Sequence, residues 1–286
     1  MKLSVMYRGP LTSCNYSCGY CPFAKRQESE ARLLKDQQSL TRFKEWIQTQ
    51  STHQWKILFT PWGEALVRAW YREAIVQLSH CPQVESVAVQ TNLSGGLDWV
   101  ERCDPQRVSF WATYHPSETT REAFVARVLR LHGLGVTLSV GVVGVAGALD
   151  EIHQLRQALP AAIYLWVNAQ QPRPRPYTTK ELEQFTAIDP HFPLTVRRTA
   201  SRDRYCPTGE TSFTVDGDGA MRRCHFVDEV IGHIHDSDWE AALRPRHCPN
   251  QFCHCFLGKA QLESETLGPL FGESLLTRNM PANIRK

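Results

Sequence analysis

The sequence has no apolar stretch long enough to span a bilayer and no secretory apolar core followed by a small-residue cleavage site. It has little excess charge, because the formal net charge is +3 with both signs spread along the chain, so a broad nucleic-acid-binding face is not expected. Internal repeats and low-complexity tracts are also missing. These absences predict a cytoplasmic globular protein whose partner is neither a membrane nor a nucleic acid.

Short and long apolar patterns alternate over residues 1–170. The short runs are rich in β-branched and aromatic residues and the longer segments have helical period, which is typical of repeated β-then-α units around a parallel sheet. The predicted strands are Lys2–Arg8, Trp55–Thr60, Ser86–Thr91, Val108–Tyr114, Val136–Val145 and Ile163–Asn168. The predicted helices are Leu40–Thr49, Leu66–Ser79, Leu97–Arg102, Thr119–Leu131 and Leu149–Leu159. Six such strands, joined by right-handed crossovers, form an incomplete barrel or an open sheet.

A proline-rich segment closes this first region. Three alternate prolines make 170–177 a stiff, extended connector. The pattern after it predicts a short helix over Thr178–Ile188, with Thr179 as its N-cap, and an edge strand over Thr195–Arg198.

Eight of the ten cysteines fall into two groups. The first group, Cys14, Cys18 and Cys21, lies in the loop directly after the first predicted strand, and sites in α/β sheets collect at the carboxyl ends of strands. Clustering of this kind favours metal ligation over disulfides. Three thiolates leave one iron of a four-iron cluster open for another ligand, whereas a structural zinc site needs a fourth residue close by. The isolated Cys81 and Cys103 are interpreted as small buried hydrophobes.

The spacing C-x-x-x-C-x-x-C, with an aromatic residue before the third cysteine, resembles the defining motif of the radical S-adenosylmethionine (radical SAM) superfamily. The resemblance implies that Cys14, Cys18 and Cys21 bind a [4Fe–4S] cluster, whose fourth iron is chelated by S-adenosylmethionine. It also implies a partial (β/α)6 barrel, a reductant such as flavodoxin or ferredoxin, and cleavage of S-adenosylmethionine to a 5′-deoxyadenosyl radical that abstracts a hydrogen atom from the substrate. A zinc site that borrows a distant fourth ligand stays open as the alternative.

Other positions resemble the same family in motif order. In T-P-W-G-E-A at 60–65, Gly63 and Glu64 match the Gly-Gly-Glu element that contacts the methionine amine, but Trp62 replaces the first glycine. Tyr20 takes the position whose side chain lies near the adenine in the family, and Thr91-Asn92 resembles the family's Thr-Asn turn. The resemblance implies contacts with the cofactor by Tyr20, Gly63, Glu64, Asn92, Gly141, Val143 and Asn168.

His115 follows the fourth predicted strand and is the candidate catalytic residue. It could bind the substrate or the ribose of S-adenosylmethionine, or transfer a proton. A hydrogen bond that only stabilises the strand-to-loop turn is an equal alternative. Arg173 and Arg175 could clamp a phosphate or carboxylate, although exposed arginines are more often simply solvated.

The second cysteine group lies in the C-terminal part of the chain and consists of Cys206, Cys224, Cys248, Cys253 and Cys255. The sequence from Cys206 to Cys224 predicts a β-hairpin that turns at Asp216–Gly219 and brings its two ends together. With the I-G-H-I that follows, it resembles the auxiliary-cluster domains of the SPASM and twitch group.

Five thiols exceed the needs of one [4Fe–4S] cluster, so one of them is spare. Which of the last three it is, and whether the cluster relays electrons or holds the small domain in place, stays open. A zinc site here, with His225, His247 or His254 as further ligands, is the alternative.

The predicted organisation has four parts: a radical SAM core at 1–177, a connecting helix and edge strand at 178–203, a twitch-like auxiliary domain at 204–258 and a loosely packed C-terminal tail at 259–286. The first predicted strand begins almost at Met1, so we expect no peptide-recognition extension. This slightly favours a small-molecule substrate, or a peptide delivered by a separate partner, which the enzyme oxidises or rearranges. The rival hypothesis is a non-catalytic zinc or iron–sulfur module that serves in assembly or sensing.

Overall fold

The computed structural model describes residues 1–21, 27–171, 174–253, 255–262, 267, 268, 271 and 277–279. Its strands in chain order are β1 (Lys2–Arg8), β2 (Gln54–Phe59), β3 (Val84–Thr91), β4 (Val108–Tyr114), β5 (Thr137–Gly144), β6 (Leu165–Ala169), β7 (Thr199–Ala200), β8 (Ser212–Asp216), β9 (Ala220–Arg222), β10 (Val230–His233) and β11 (Phe252–Cys253). Its α-helices are α1 (Glu30–Thr49), α2 (Ala69–Ser79), α3 (Arg121–Gly133), α4 (Leu149–Ala158), α5 (Thr179–Ile188), α6 (Phe192–Val196) and α7 (Phe256–Leu262). Short 3-10 helices span Ala65–Val67, Asp98–Arg102 and Trp239–Ala242.

Nine strands form one mostly parallel sheet in the order β10-β9-β8-β1-β2-β3-β4-β5-β6. Strands β1 to β6 pair in parallel, which confirms the six predicted strands with ends shifted by at most two residues. Strand β8 also lies parallel to β1, with Ser4 opposite Ser212, and the predicted hairpin turn at Asp216–Gly219 leads into the antiparallel β9. The hairpin therefore extends the same sheet on the β1 side.

Several helix boundaries differ from the prediction, and N-caps explain two of the differences. Helix α1 begins at Glu30 rather than Leu40, because the Ser29 hydroxyl caps it by accepting from Arg32 N at 3.4 Å. Its first turns are largely exposed and lack an apolar period. The N-cap of α5 is Thr178 rather than Thr179, since Thr178 and Glu181 form a reciprocal capping box.

The predicted edge strand at Thr195–Arg198 is wrong. Residues Phe192–Val196 form α6, which has a proline in its first turn, and the strand that follows is β7. The expectation of a loosely packed tail is also wrong for the described residues of that segment, because Leu267, Phe271 and Arg278 have no exposed surface.

The sheet is covered on both faces, as its alternating side chains require. On one face, helices α1 to α4 pack over a core that includes Leu3, Val5 and Tyr7 of β1. On the other face, which we call the inner face, Met6 and Trp111 pack against Leu257 of α7. No helix in the described part of the chain is long and apolar enough to cross a bilayer.

Candidate functional site

Hydrogen bonds fix the segment that leads from β1 into the first cysteine loop. Glu28 accepts from the backbone N–H and the hydroxyl of both Thr12 and Ser13, at 2.7 to 3.2 Å. Asp36 of α1 accepts from Leu11 N at 3.1 Å. These buried bonds set the direction of the chain before the first cysteine.

Gly63 allows the loop after β2 to touch this segment. Gly63 N donates to Leu11 O at 3.3 Å, and Glu64 N donates to Ser13 O at 3.0 Å. A Cβ atom at position 63 would lie 1.9 Å from Ser13 O, so only glycine fits. Trp62, in contrast, is partly exposed and its ring covers the guanidinium of Arg8 at 4.1 Å, so the bulky residue at this position is accommodated.

The three cysteines of the first group lie together at the carboxyl end of β1. Cys21 N donates to Cys18 O at 3.1 Å, which closes a turn between the two residues. The Cys14 sulfur accepts from Tyr16 N at 3.4 Å and faces Asn92 Nδ2 at 3.7 Å. Such donors stabilise a thiolate, which is the form that binds metal.

Burial and neighbouring thiols favour the neutral form of the cysteines in this loop. Burial raises the pKa of Cys14, and it raises the pKa of Cys18 to about 11, with neighbouring thiols adding to both shifts. A bound cation would reverse these shifts. Among the described residues, no three Cys, His, Asp or Glu side chains surround a single ion. This arrangement is compatible with a [4Fe–4S] cluster, in which each thiolate binds its own iron.

His115 packs against the cysteine loop from the end of β4. Its Nδ1 lies 2.9 Å from Tyr20 Oη and 3.3 Å from the Cys18 sulfur, and the ring stacks on Tyr20 with centroids 5.9 Å apart. Burial lowers the pKa of His115 to about 4, so the imidazole is neutral at neutral pH. A neutral imidazole placed this way supports the loop and can accept a hydrogen bond from Tyr20 or Cys18, but it is a weak base.

Glu64 ties the ends of β2 and β3 together. Its buried carboxylate accepts from Leu66 N, Thr91 Oγ1 and Asn92 N at 2.9, 2.6 and 2.7 Å. The Asn92 side chain, aimed at the cysteine loop, donates to Asn15 Oδ1 at 3.2 Å. Because the Glu64 side chain is fully used, a ligand at this edge would meet the backbone of Gly63 and Glu64 instead.

Gly141, Val143 and Asn168 share the inner face of β5 and β6. Val143 pairs with Asn168, and a Cβ at Gly141 would lie 3.3 Å from Trp111 Nε1 and 3.4 Å from Asn168 Nδ2. The glycine thus leaves room for these two polar side chains beside β5. Asn168 Oδ1 accepts from Arg278 Nη1 at 2.7 Å.

Arg278 is a residue that the sequence analysis missed. It is completely buried on the inner face, with its guanidinium 4.3 Å from the Trp111 ring, 4.2 Å from the Trp166 ring and 3.1 Å from the Phe256 ring. Its Nε and Nη2 have no hydrogen-bond partner among the described residues. No motif marks an arginine near the end of a chain, so only the folded structure finds it.

The second cysteine group also lies on the inner face. Four of its members line one small cavity together with Met6: Cys224, Cys248, Cys253 and Cys255. Cys206 is buried nearby, and its sulfur accepts from Thr208 Oγ1 at 3.2 Å. Burial raises the pKa of Cys224 to about 11 and that of Cys253 to about 12. All ten cysteines of the chain are free thiols, so disulfides do not compete for this donor set.

Short backbone pairings bring the parts of this group together. Strands β7 and β11 pair antiparallel, and isolated bridges join Arg202 to Cys248 and Tyr205 to His247. His225 also lines the cavity, and its Nε2 is buried with no hydrogen-bond partner in the part of the chain that the structure describes. His247 Nδ1 contacts the Asp203 carbonyl instead. His254 lies outside the described residues.

Two other predictions concern arginines and isolated cysteines. Arg175 forms a bidentate ion pair with Glu181 at 2.7 and 2.8 Å at the start of α5, so it is not free to clamp a ligand. Arg173 lies outside the described residues. Cys103 is buried and Cys81 packs against the core, as expected for small hydrophobes.

A larger cavity lies away from the cysteines. It has a volume of about 490 Å³ and is lined by residues that begin the strands, including Lys2, Lys56 and Arg107. This places it at the amino edge of the sheet, opposite the edge where α/β folds assemble their chemistry. We therefore place the candidate site at the cysteine loop and not in the larger cavity.

No protein-family model matches the chain, and no curated protein matches its sequence. Solved structures do match. SuiB of Streptococcus suis bound to S-adenosylmethionine has a TM-score of 0.56 and 11% identity, with 85% of this chain and 65% of SuiB covered. SuiB bound to precursor peptide SuiA gives a TM-score of 0.56 and 11% identity, with 85% of this chain and 64% of SuiB covered.

The structure of anSMEcpe with bound AdoMet and the Kp18Cys peptide is also similar, with a TM-score of 0.56 and 12% identity over 85% of this chain and 80% of anSMEcpe. At such low identity the similarity is one of fold. The chain therefore shares with these proteins an α/β fold built on a mostly parallel sheet. It spans less than two thirds of the length of SuiB, at 65%.

Proposed function

We propose that this protein is a radical SAM enzyme that binds a [4Fe–4S] cluster through Cys14, Cys18 and Cys21. The observation that carries the proposal is the position of the C-x-x-x-C-x-x-C loop, at the carboxyl end of β1 in a fold that binds S-adenosylmethionine in SuiB and anSMEcpe. The same reading makes β1 to β6 a partial barrel, with residues 1–177 as its core.

When bound, the cluster supplies the electron that cleaves S-adenosylmethionine to methionine and a 5′-deoxyadenosyl radical, which takes a hydrogen atom from the substrate. The chain's own residues position the reactants. Asn92 donates toward the Cys14 sulfur and His115 buttresses Cys18, so both hold the loop in its ligating conformation. Gly63 and Glu64 present backbone groups to the methionine part of S-adenosylmethionine.

The adenine of S-adenosylmethionine is assigned to a position between the inner face of the sheet and the cysteine loop. Gly141, Val143 and Asn168 offer an open strand surface beside polar groups, and Tyr20 stands at the loop as the further contact. His115 remains the candidate for contact with the ribose or the substrate.

We further propose a second [4Fe–4S] cluster in a twitch-like domain at 204–258. The support is the thiol-rich, apolar cavity lined by Cys224, Cys248, Cys253 and Cys255, with Cys206 beside it. Thiolate-rich sites suit iron–sulfur clusters and zinc, and the buried, unpartnered His225 is the residue through which zinc would be favoured.

The substrate class is a peptide or a small molecule. SuiB bound to the peptide SuiA and anSMEcpe with the Kp18Cys peptide support a peptide. We propose that a flavodoxin or ferredoxin delivers the electron and that the protein works in the reducing cytoplasm.

The test is anaerobic reconstitution with iron and sulfide, followed by dithionite and S-adenosylmethionine. About eight irons per chain and formation of 5′-deoxyadenosine are expected, and Cys14→Ala should abolish the cleavage while the matched control Cys81→Ala retains it. A fully loaded cluster that does not cleave S-adenosylmethionine would refute the enzyme. Zinc without iron would favour a non-catalytic assembly or sensing module.

A further inference from the structure

Arg8 reaches the second cysteine group from the end of β1. It lies two residues after Met6, which lines the cysteine cavity. Because alternate residues of a strand share a face, Arg8 and Met6 both point to the inner face. Arg8 Nε donates to Thr60 O at 2.9 Å, and Trp62 covers the guanidinium. The charge is therefore held in place on the inner face, at the end of β1.

Arg278 reaches the same group from the other side. Its guanidinium stacks on Phe256 and Trp111, and Phe256 is the residue after Cys255. Cys255 itself packs against the apolar cluster that contains Met6 and Trp111. Cys255 thus lies beside the residue on which Arg278 stacks, and it interacts electrostatically with both arginines.

Neither guanidinium forms an ion pair with a carboxylate in the described part of the chain. The buried acid that acts most strongly on Arg278 is Asp189, and its carboxylate already accepts from Tyr164 Oη and from two backbone N–H groups. A buried charge without a partner is costly. Burial lowers the pKa of Arg8 to about 10 and lowers the pKa of Arg278 well below its usual value. Cys255 opposes the shift at Arg8, and Asp189 and then Cys255 oppose the shift at Arg278.

We propose that Arg8 and Arg278 are the counter-charges of an iron–sulfur cluster bound through Cys255, and that they raise its reduction potential. A cluster held by thiolates is anionic and gains a further negative charge on reduction, so fixed cations beside it favour the reduced state. This inference rests on the proposed function, because it assumes the auxiliary cluster. It assigns that cluster a redox role rather than a purely structural one.

The experiment titrates the auxiliary cluster alone. In the full chain carrying Cys14→Ala, Cys18→Ala and Cys21→Ala, the remaining cluster is reconstituted and its reduction is followed by electron paramagnetic resonance at set solution potentials. Adding Arg8→Gln or Arg278→Gln should lower the ratio of reduced to oxidised cluster at least tenfold at a fixed potential, which is about 59 mV for one electron. The lysine variants, which keep the charge, should retain the original ratio.

Arg130→Gln is the matched control, because this exposed arginine pairs with Asp98 and Glu101 on the helical face of the sheet. It should leave the potential unchanged. If the protein with Arg278→Gln binds no iron, the test uses Arg8→Gln instead, because Arg8 is only partly buried. If neither Arg8→Gln nor Arg278→Gln changes the reduction potential of the auxiliary cluster, this inference is wrong, but the proposed enzyme function is unaffected. A triple variant that binds no iron overturns this inference and the second cluster together.

Discussion

Replacing Gly63 by alanine should separate the two loops that shape the candidate site. The new Cβ would lie 1.9 Å from Ser13 O, so the backbones must part by more than about 1 Å to reach van der Waals contact. That movement breaks the bonds from Gly63 N to Leu11 O and from Glu64 N to Ser13 O. At about 1 kcal/mol each, their loss lowers the free energy of unfolding by about 2 kcal/mol. The displaced Ser13 precedes Cys14, so the first cysteine moves with it.

Urea unfolding followed by circular dichroism measures the loss of stability, and iron content after reconstitution measures the effect on the loop. We expect the Gly63→Ala protein to hold about four irons instead of about eight and to form little 5′-deoxyadenosine. Gly96→Ala is the matched control, because a Cβ there has no neighbour within 4 Å. If the two variants unfold at the same urea concentration and bind equal iron, the close approach at Gly63 does not hold the loop.

Three further predictions address the scaffold. Burial raises the pKa of Asp36 from 3.8 to about 6, so its ionisation destabilises the folded state as pH rises through that window. The free energy of unfolding of the wild type, relative to that of Asp36→Asn, should therefore fall by about 3 kcal/mol between pH 4 and pH 7. A difference that stays constant with pH in urea titrations would contradict this. Thr178→Ala should lower the free energy of unfolding by about 1 kcal/mol, because it removes the capping box of α5. Replacing the exposed Thr179 by alanine should lower it by less than about 0.5 kcal/mol. Equal losses in the two variants would mean that the cap is not at Thr178. Phe271→Ala should cost about 3 to 5 kcal/mol, because the ring is fully buried against Trp166; a loss below about 1 kcal/mol in the same assay would show that this segment does not pack on the sheet.

Much of the fold follows from local pattern. The strands β1 to β6 are short runs rich in apolar residues and are separated by helical segments, so their existence and order can be predicted from the sequence. The hairpin turn is also readable, because Asp216–Gly219 carries the residues that a tight turn needs. The position of Cys14 after β1 follows directly from these assignments.

Contacts between segments that are distant in the sequence cannot be predicted from local pattern. The prediction placed the edge strand at Thr195–Arg198, where the β-branched residues indicated a strand, but packing and a proline in the first turn favour helix α6. The direction of the Glu64 side chain depends on Thr91 and Asn92 of another strand. Arg278 is one arginine among many in the sequence, and its aromatic surroundings come from β4, β6 and α7.

The pairing of β1 with β8 determines when the sheet can be completed. Ser4 faces Ser212, so more than two hundred residues must be synthesised before β1 gains its second neighbour. Until then β1 is an unprotected edge that can pair with other chains. Chaperone protection during translation should therefore matter most before residues 212–216 leave the ribosome, and a chain cut before β8 should aggregate although it contains the whole first cysteine loop.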